Sequence, residues 1–145
     1  MHSPFVYDYI TKCLYQKTGL KLATTLKVSV KSINYFKYKS IFLVGDYRTS
    51  KETIKKKCSY ITFVENNADI LIATINDLKG INLDLSKLPN DSMLLLDGIH
   101  KNKKNHDSWE RLKTNNNVTV TIDMFYCGAV FFRKEQVKEH FKIRI

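Results

Sequence analysis

Three short apolar runs in this 145-residue sequence end in residues that could hold or activate a small molecule. Ile41-Phe42-Leu43-Val44 leads into Gly45-Asp46-Tyr47-Arg48-Thr49-Ser50, Tyr60-Ile61-Thr62-Phe63-Val64 into Glu65, and Met93-Leu94-Leu95-Leu96 into Asp97-Gly98-Ile99-His100. In open parallel sheets, ligands sit beyond the carboxyl ends of the strands. Glycine at such an end lets the backbone approach a ligand, although a dinucleotide-type loop wants several glycines and this one has one. An acid about 20 residues further on is placed to hold ribose hydroxyls, and Glu65 stands at that distance from Gly45. Asp97 and His100 bring a carboxylate and an imidazole to one strand end, a pair suited to general-base work. Two potential ligands are too few for a metal site, so none is expected. His2, His106 and His140 stand alone and are expected at the surface.

The elements that must position these residues follow from hydrophobic period. Ser3 before Pro4 caps a helix whose N1 position needs no donor, and Phe5, Val6, Tyr9, Ile10, Cys13 and Leu14 fall on one helical face. Gly19 breaks that helix. Leu22, Leu26, Val30 and Ile33 mark a second helix that runs to about Lys37. The run 41–44 then reads as a strand buried on both faces, 49–57 as a short helix and 60–65 as a second strand. Strand, helix, strand is the βαβ signature of a mainly parallel sheet. Residues 69–74 lean toward strand. Too few residues join them to the previous strand for a parallel crossover, so they pair antiparallel to it, lie elsewhere in the sheet, or form a helix. Residues 82–89 read as loop or a short helical turn, 93–96 as a strand, and 105–113 as a helix carrying Trp109 and Leu112 inward. Val118 to Asp123 alternates at period two, and Gly128 to Phe132 follows closely, so the two read as a hairpin. Lys134 to His140 is expected to turn helically before a short tail.

Length and composition fit one α/β domain over residues 1–145. The hydrophobic content of 43% and charged content of 26% are those of a globular chain. Cys13, Cys58 and Cys127 are widely spaced and odd in number, which argues against a disulfide framework and for small buried hydrophobes. There is no signal-peptide pattern and no long apolar run, so a cytoplasmic protein with no membrane span is expected. The net charge of +10 permits nucleic-acid contact, but it is spread out, with clusters only at Lys55-Lys56-Lys57 and at Lys101, Lys103 and Lys104. A lysine-rich solvated surface is the plainer reading, and nucleic acid is not the expected partner.

The sequence also resembles a known family. His2-Ser3-Pro4-Phe5-Val6-Tyr7-Asp8 is similar to the opening of a group of Bacteroidetes class I S-adenosylmethionine-dependent methyltransferases. The closing stretch is similar to that family's last strand-helix-hairpin unit: Asp97-Gly98-Ile99-His100, Ser108-Trp109-Glu110, Val118 to Phe125, Val130 to Gln136 and Lys138 to Phe141. The resemblance covers roughly the first 15 and last 55 residues. It implies a shortened, Rossmann-like, three-layer sandwich with a mainly parallel sheet and a C-terminal antiparallel β-hairpin. It further implies S-adenosylmethionine as the cofactor, held by Gly45, Asp46 and Glu65, with Asp97 and His100 facing an acceptor.

The middle of the chain departs from the family. Leu43 stands where the family has an acid, and Asp46-Tyr47-Arg48 replaces its small residues. The Asp-Gly-Asn-His motif after the fourth strand has no counterpart, Gly98 replaces the second acid of Asp-Asp-Ile-His, and at least one strand and helix are missing. A cofactor-binding domain and a non-catalytic binding module on the same scaffold are therefore both carried forward. The first predicts an open cleft between Gly45 and Glu65, and the second predicts that Tyr47 and Arg48 fill it. Nucleic-acid binding predicts that the two lysine clusters share a face. A sheet edge exposed by lost strands would be covered by a homodimer.

Overall fold

The computed structural model describes residues 3–145, so His2 of the opening motif lies outside the described residues. Ser3 accepts a hydrogen bond from the Val6 amide at 3.2 Å and starts α1 (Pro4–Tyr9), which widens into a π-helical turn, Ile10–Leu14. The apolar stripe expected of this segment is buried through Val6, Tyr9, Cys13 and Leu14. The Tyr9 hydroxyl, which must find a partner once buried, meets the Ser32 hydroxyl at 2.6 Å. That bond ties α1 to α2 (Thr24–Phe36), which stops at Lys37 in the left-handed conformation, φ 61°.

The rest alternates strands and helices. β1 (Ser40–Leu43) passes through a 3-10 turn, Gly45–Ser50, into α3 (Lys51–Lys57), then β2 (Thr62–Phe63), β3 (Ile70–Thr74) and α4 (Ile75–Leu78). A loop with one 3-10 turn leads to β4 (Met93–Asp97), α5 (Lys103–Lys113), β5 (Val120–Asp123), β6 (Cys127–Phe131) and β7 (Glu139–Lys142). The sheet order is β2-β1-β3-β4-β6-β5-β7, and β6 alone runs against the others. β5 and β6 form the expected hairpin, with β6 inserted between β4 and β5.

Residues 69–74 are a strand, and of the three arrangements left open they take a place elsewhere in the sheet. β3 is parallel to β2 but lies on the far side of β1. The crossing is short because Ile41 faces Phe63 on one side and Ile70 on the other. The chain therefore moves sideways by about two strand spacings, roughly 10 Å, without returning along the sheet. Asp69 fixes the crossing: its Oδ2 accepts from the Lys39 and Ser40 amides at 2.7 and 3.3 Å, while its own amide donates to Ser40 Oγ at 2.9 Å.

The expected helical turn over 134–140 is corrected. A bend at Lys134-Glu135-Gln136 leads into β7, which pairs parallel to β5. The end of β6 and the start of β7 are level with Val120, so the connection again needs only a sideways step. Lys138 holds it, donating to the carbonyls of Asn115 and Val118 at 2.6 and 3.0 Å.

Strand side chains alternate between two cores. Ile41, Leu43, Ile70, Ile72, Met93 and Leu95 face the layer of α1, α2 and α3. Val44, Leu71, Ala73, Leu94 and Leu96 face the layer of α4 and α5. Trp109 of α5 is fully buried there on β6, at a place where only glycine fits: a Cβ on Gly128 would collide with its indole. The result is a three-layer α/β sandwich, a shortened Rossmann-like fold resembling class I S-adenosylmethionine-dependent methyltransferase topology. Among the described residues no helix is long and apolar enough to cross a membrane.

Candidate functional site

The sheet order reverses between β1 and β3, so their carboxyl ends bound the crevice where doubly wound folds bind ligands. Gly45 enters it at φ 63°, a backbone conformation costly for any side chain. Asp77 of α4 packs its carboxylate against Gly45, so a Cβ there would collide with it. On the β2 side of Gly45 a groove of about 630 Å³ opens, lined by Gly45, Glu65, Arg48, Lys51, Phe63 and the apolar Phe42-Leu43-Val44 and Ile81. Gly45 and Glu65 thus border one groove. A second cavity, of about 580 Å³, adjoins it and shares Phe42, Glu65 and Ile81. Its lining includes Leu71 and Leu94 of the sheet, Leu83 and Leu88 of the loop after α4, and Asn66 and Asn67.

The residues that replace the family's small ones divide. Asp46 is exposed and does not line the groove. Arg48 lines it, with Nε donating to the Gly45 carbonyl at 3.1 Å. Tyr47 turns the other way, packs on the first core, and sets its hydroxyl against Thr25 and Asp97. Burial, and then the Asp97 charge, push the Tyr47 phenol well above its ordinary pKa, so it stays a neutral donor. Thr25 donates to Asp97 Oδ1 at 2.7 Å.

Asp97 and His100 do not form a pair. Asp97 points to the α2 side of the sheet, where Thr25 and Tyr47 engage it. His100 turns to the opposite layer and meets Asp123, which ends β5 and is 2% exposed. His100 Nε2 and Asp123 Oδ2 are 2.5 Å apart, and His100 Nδ1 and His106 Nδ1 of α5 are 3.2 Å apart. Asp123 Oδ1 accepts from the Phe125 amide at 2.8 Å, and the Phe125 ring stacks on His100 with centroids 5.7 Å apart.

The Asp123 carboxylate constrains the protons of this chain. A carboxylate can only accept, so His100 donates to it from Nε2, and the tautomer with that single hydrogen presents a lone pair at Nδ1. With His100 in that tautomer, His106 donates from Nδ1, which leaves its Nε2 unprotonated. The chain Asp123–His100–His106 has the logic of a carboxylate-oriented imidazole base, extended by one ring. Sequence reasoning missed Asp123 and His106. Their one local signal was an acid closing an alternating strand, and the partnership depends on β6 standing between β4 and β5.

The cysteine thiols are buried and unpaired. Burial pushes Cys13 up to about 11 and Cys127 up to about 12, which keeps them protonated and inert. Among the described residues no group of three His, Cys, Asp or Glu is placed to hold a metal ion. The lysine clusters fall on opposite layers, Lys55-Lys56-Lys57 on α3 and Lys101, Lys103 and Lys104 at the start of α5. No protein-family model, curated protein or solved structure matches this chain.

Proposed function

We propose that this chain is a nucleoside-binding domain on a methyltransferase-like scaffold, seating the adenosine half of an S-adenosylmethionine-type ligand. The observation that carries this reading is that Gly45 and Glu65 border one groove at the carboxyl ends of β1 and β2. The Glu65 carboxylate accepts from the ribose hydroxyls. The base extends past Glu65 into the adjoining cavity, where Phe42, Leu71 and Leu94 offer an apolar surface and Asn66 and Asn67 offer amides to its edge.

The methionine half fits less well. Its ammonium and sulfonium are both cationic. The apolar Leu43 stands at the acid position, and Arg48 and Lys51 line the groove with it. A non-catalytic binding module is the second reading, favoured by Tyr47 and Thr25, which hold Asp97 in a closed network. In a catalytic protein His106 would be the base that takes a proton from an acceptor, with His100 and Asp123 as positioning residues.

Calorimetric titration with adenosine, S-adenosylhomocysteine and S-adenosylmethionine tests the reading. Adenosine-bearing ligands are expected to bind, and Glu65→Ala to weaken them about 10- to 150-fold, the equivalent of a hydrogen bond to a charged group. Absence of binding at millimolar ligand would retire the nucleoside reading and leave the binding-module one.

A further inference from the structure

Accepting the nucleoside reading, on which this inference rests, we infer that the groove takes a nucleoside phosphate, with Arg48 and Lys51 holding the anionic tail. Three ionic side chains line the groove: Glu65, Arg48 and Lys51. Among the described residues none of the three is in an ion pair. Arg48 is anchored at the glycine turn through Nε, and among the described residues its two terminal nitrogens have no partner. Lys51 is held with its ammonium 5.1 Å from the centre of the Phe63 ring, on the strand that delivers Glu65. Both cations are thus placed by contacts with the groove's own walls.

The balance of charge selects the ligand. An acid suits a ribose diol, which donates two hydrogen bonds and carries no charge. Two unpaired cations beside it suit an anion and repel an ammonium or a sulfonium. The planar fork of arginine matches phosphate oxygens bidentately, and lysine adds a point charge. The Asp77 carboxylate of α4 lies against Gly45 but is not among the residues that line the groove. Asp46 does not line it either. A ligand with a ribose and one or more phosphates satisfies all three side chains, whereas S-adenosylmethionine satisfies only Glu65.

Calorimetry on the full chain decides the point, with adenosine, AMP, ADP, S-adenosylhomocysteine and tripolyphosphate as titrants in buffer free of divalent cations. ADP is expected to bind at least about tenfold more tightly than adenosine and more tightly than S-adenosylhomocysteine. In Arg48→Gln/Lys51→Gln the phosphate increment is expected to vanish while adenosine binds as before, with thermal melts checking that the variant folds. The inference fails if adenosine binds but phosphate adds nothing, or if the increment survives in the double variant. Tripolyphosphate binding as tightly as ADP would also overturn it, since the surface would then be a general polyanion site. If neither adenosine nor any nucleotide binds, the nucleoside reading itself falls and takes this inference with it.

Discussion

Asp123 divides its two oxygens between a backbone amide and an imidazole, and that division makes the histidine chain testable without a substrate. Phe125 N–H demands an acceptor at Oδ1. In Asp123→Asn the amide oxygen must stay there, and the new NH₂ must face His100. His100 would then accept at Nε2 and carry its hydrogen on Nδ1, and His106 would have to accept at Nδ1 and carry its hydrogen on Nε2. Nitrogen-15 NMR of the imidazoles at neutral pH is expected to report Nε2–H for His100 and Nδ1–H for His106 in the native chain, with both reversed in the variant. A native His106 protonated on Nε2 would break the proposed chain. At this scale the sequence was legible where spacing is local. Gly45 and Glu65 are joined by one βαβ unit, and they do share a groove. Asp97 and His100 sit three residues apart yet part company, because Asp97 still obeys the two-residue strand period and His100, beyond Gly98, does not. His100 and Asp123 are 23 residues apart and meet only through sheet order.

Among the elements, the crossing from β2 to β3 concentrates dependence on one side chain. Asp69 ties the start of β3 to the start of β1 through three hydrogen bonds. Asp69→Ala leaves two backbone donors without that acceptor, and such losses cost about 1–3 kcal/mol. A fall in Tm of roughly 3–10 °C is expected for a chain of this size, measurable by differential scanning calorimetry, and an unchanged Tm would show that the crossing is held elsewhere. The helices and the apolar strands were readable because their periods are internal to each segment. The place of β3 was not, since nothing in its own residues says that it begins level with the end of β2. β7 was misread for a related reason. As an edge strand it buries little, alternating between half-buried and exposed residues, so it carries a weak apolar signal.

Over the molecule as a whole, the two faces of the sheet are unequally covered. α1, α2 and α3 close one side, whereas the other has α5, the single turn of α4 and the loop that follows it. The cavity beside Glu65 is the space left there. The sheet edges are better guarded than lost strands would suggest. β2 is two residues long, and β7 with its flanks carries Lys138, Glu139, His140, Lys142 and Arg144, features that discourage edge pairing. Light scattering is therefore expected to give a monomer of 16.9 kDa at micromolar concentration. Twice that mass would redirect attention to a dimer built on another surface.

The close seat of the indole on Gly128 has an optical consequence. Trp109 is the sole tryptophan and is fully buried against the one strand that runs counter to the rest. Its emission is thus a single-site spectroscopic gauge of whether α5 stays docked on the hairpin, blue while seated and red once released. The groove beside Gly45 and Glu65 is lined by residues around β1 and β2, and Trp109 is not among them. A titrant that quenches or shifts this fluorescence would be reporting on the packing around α5, the helix that also carries His106.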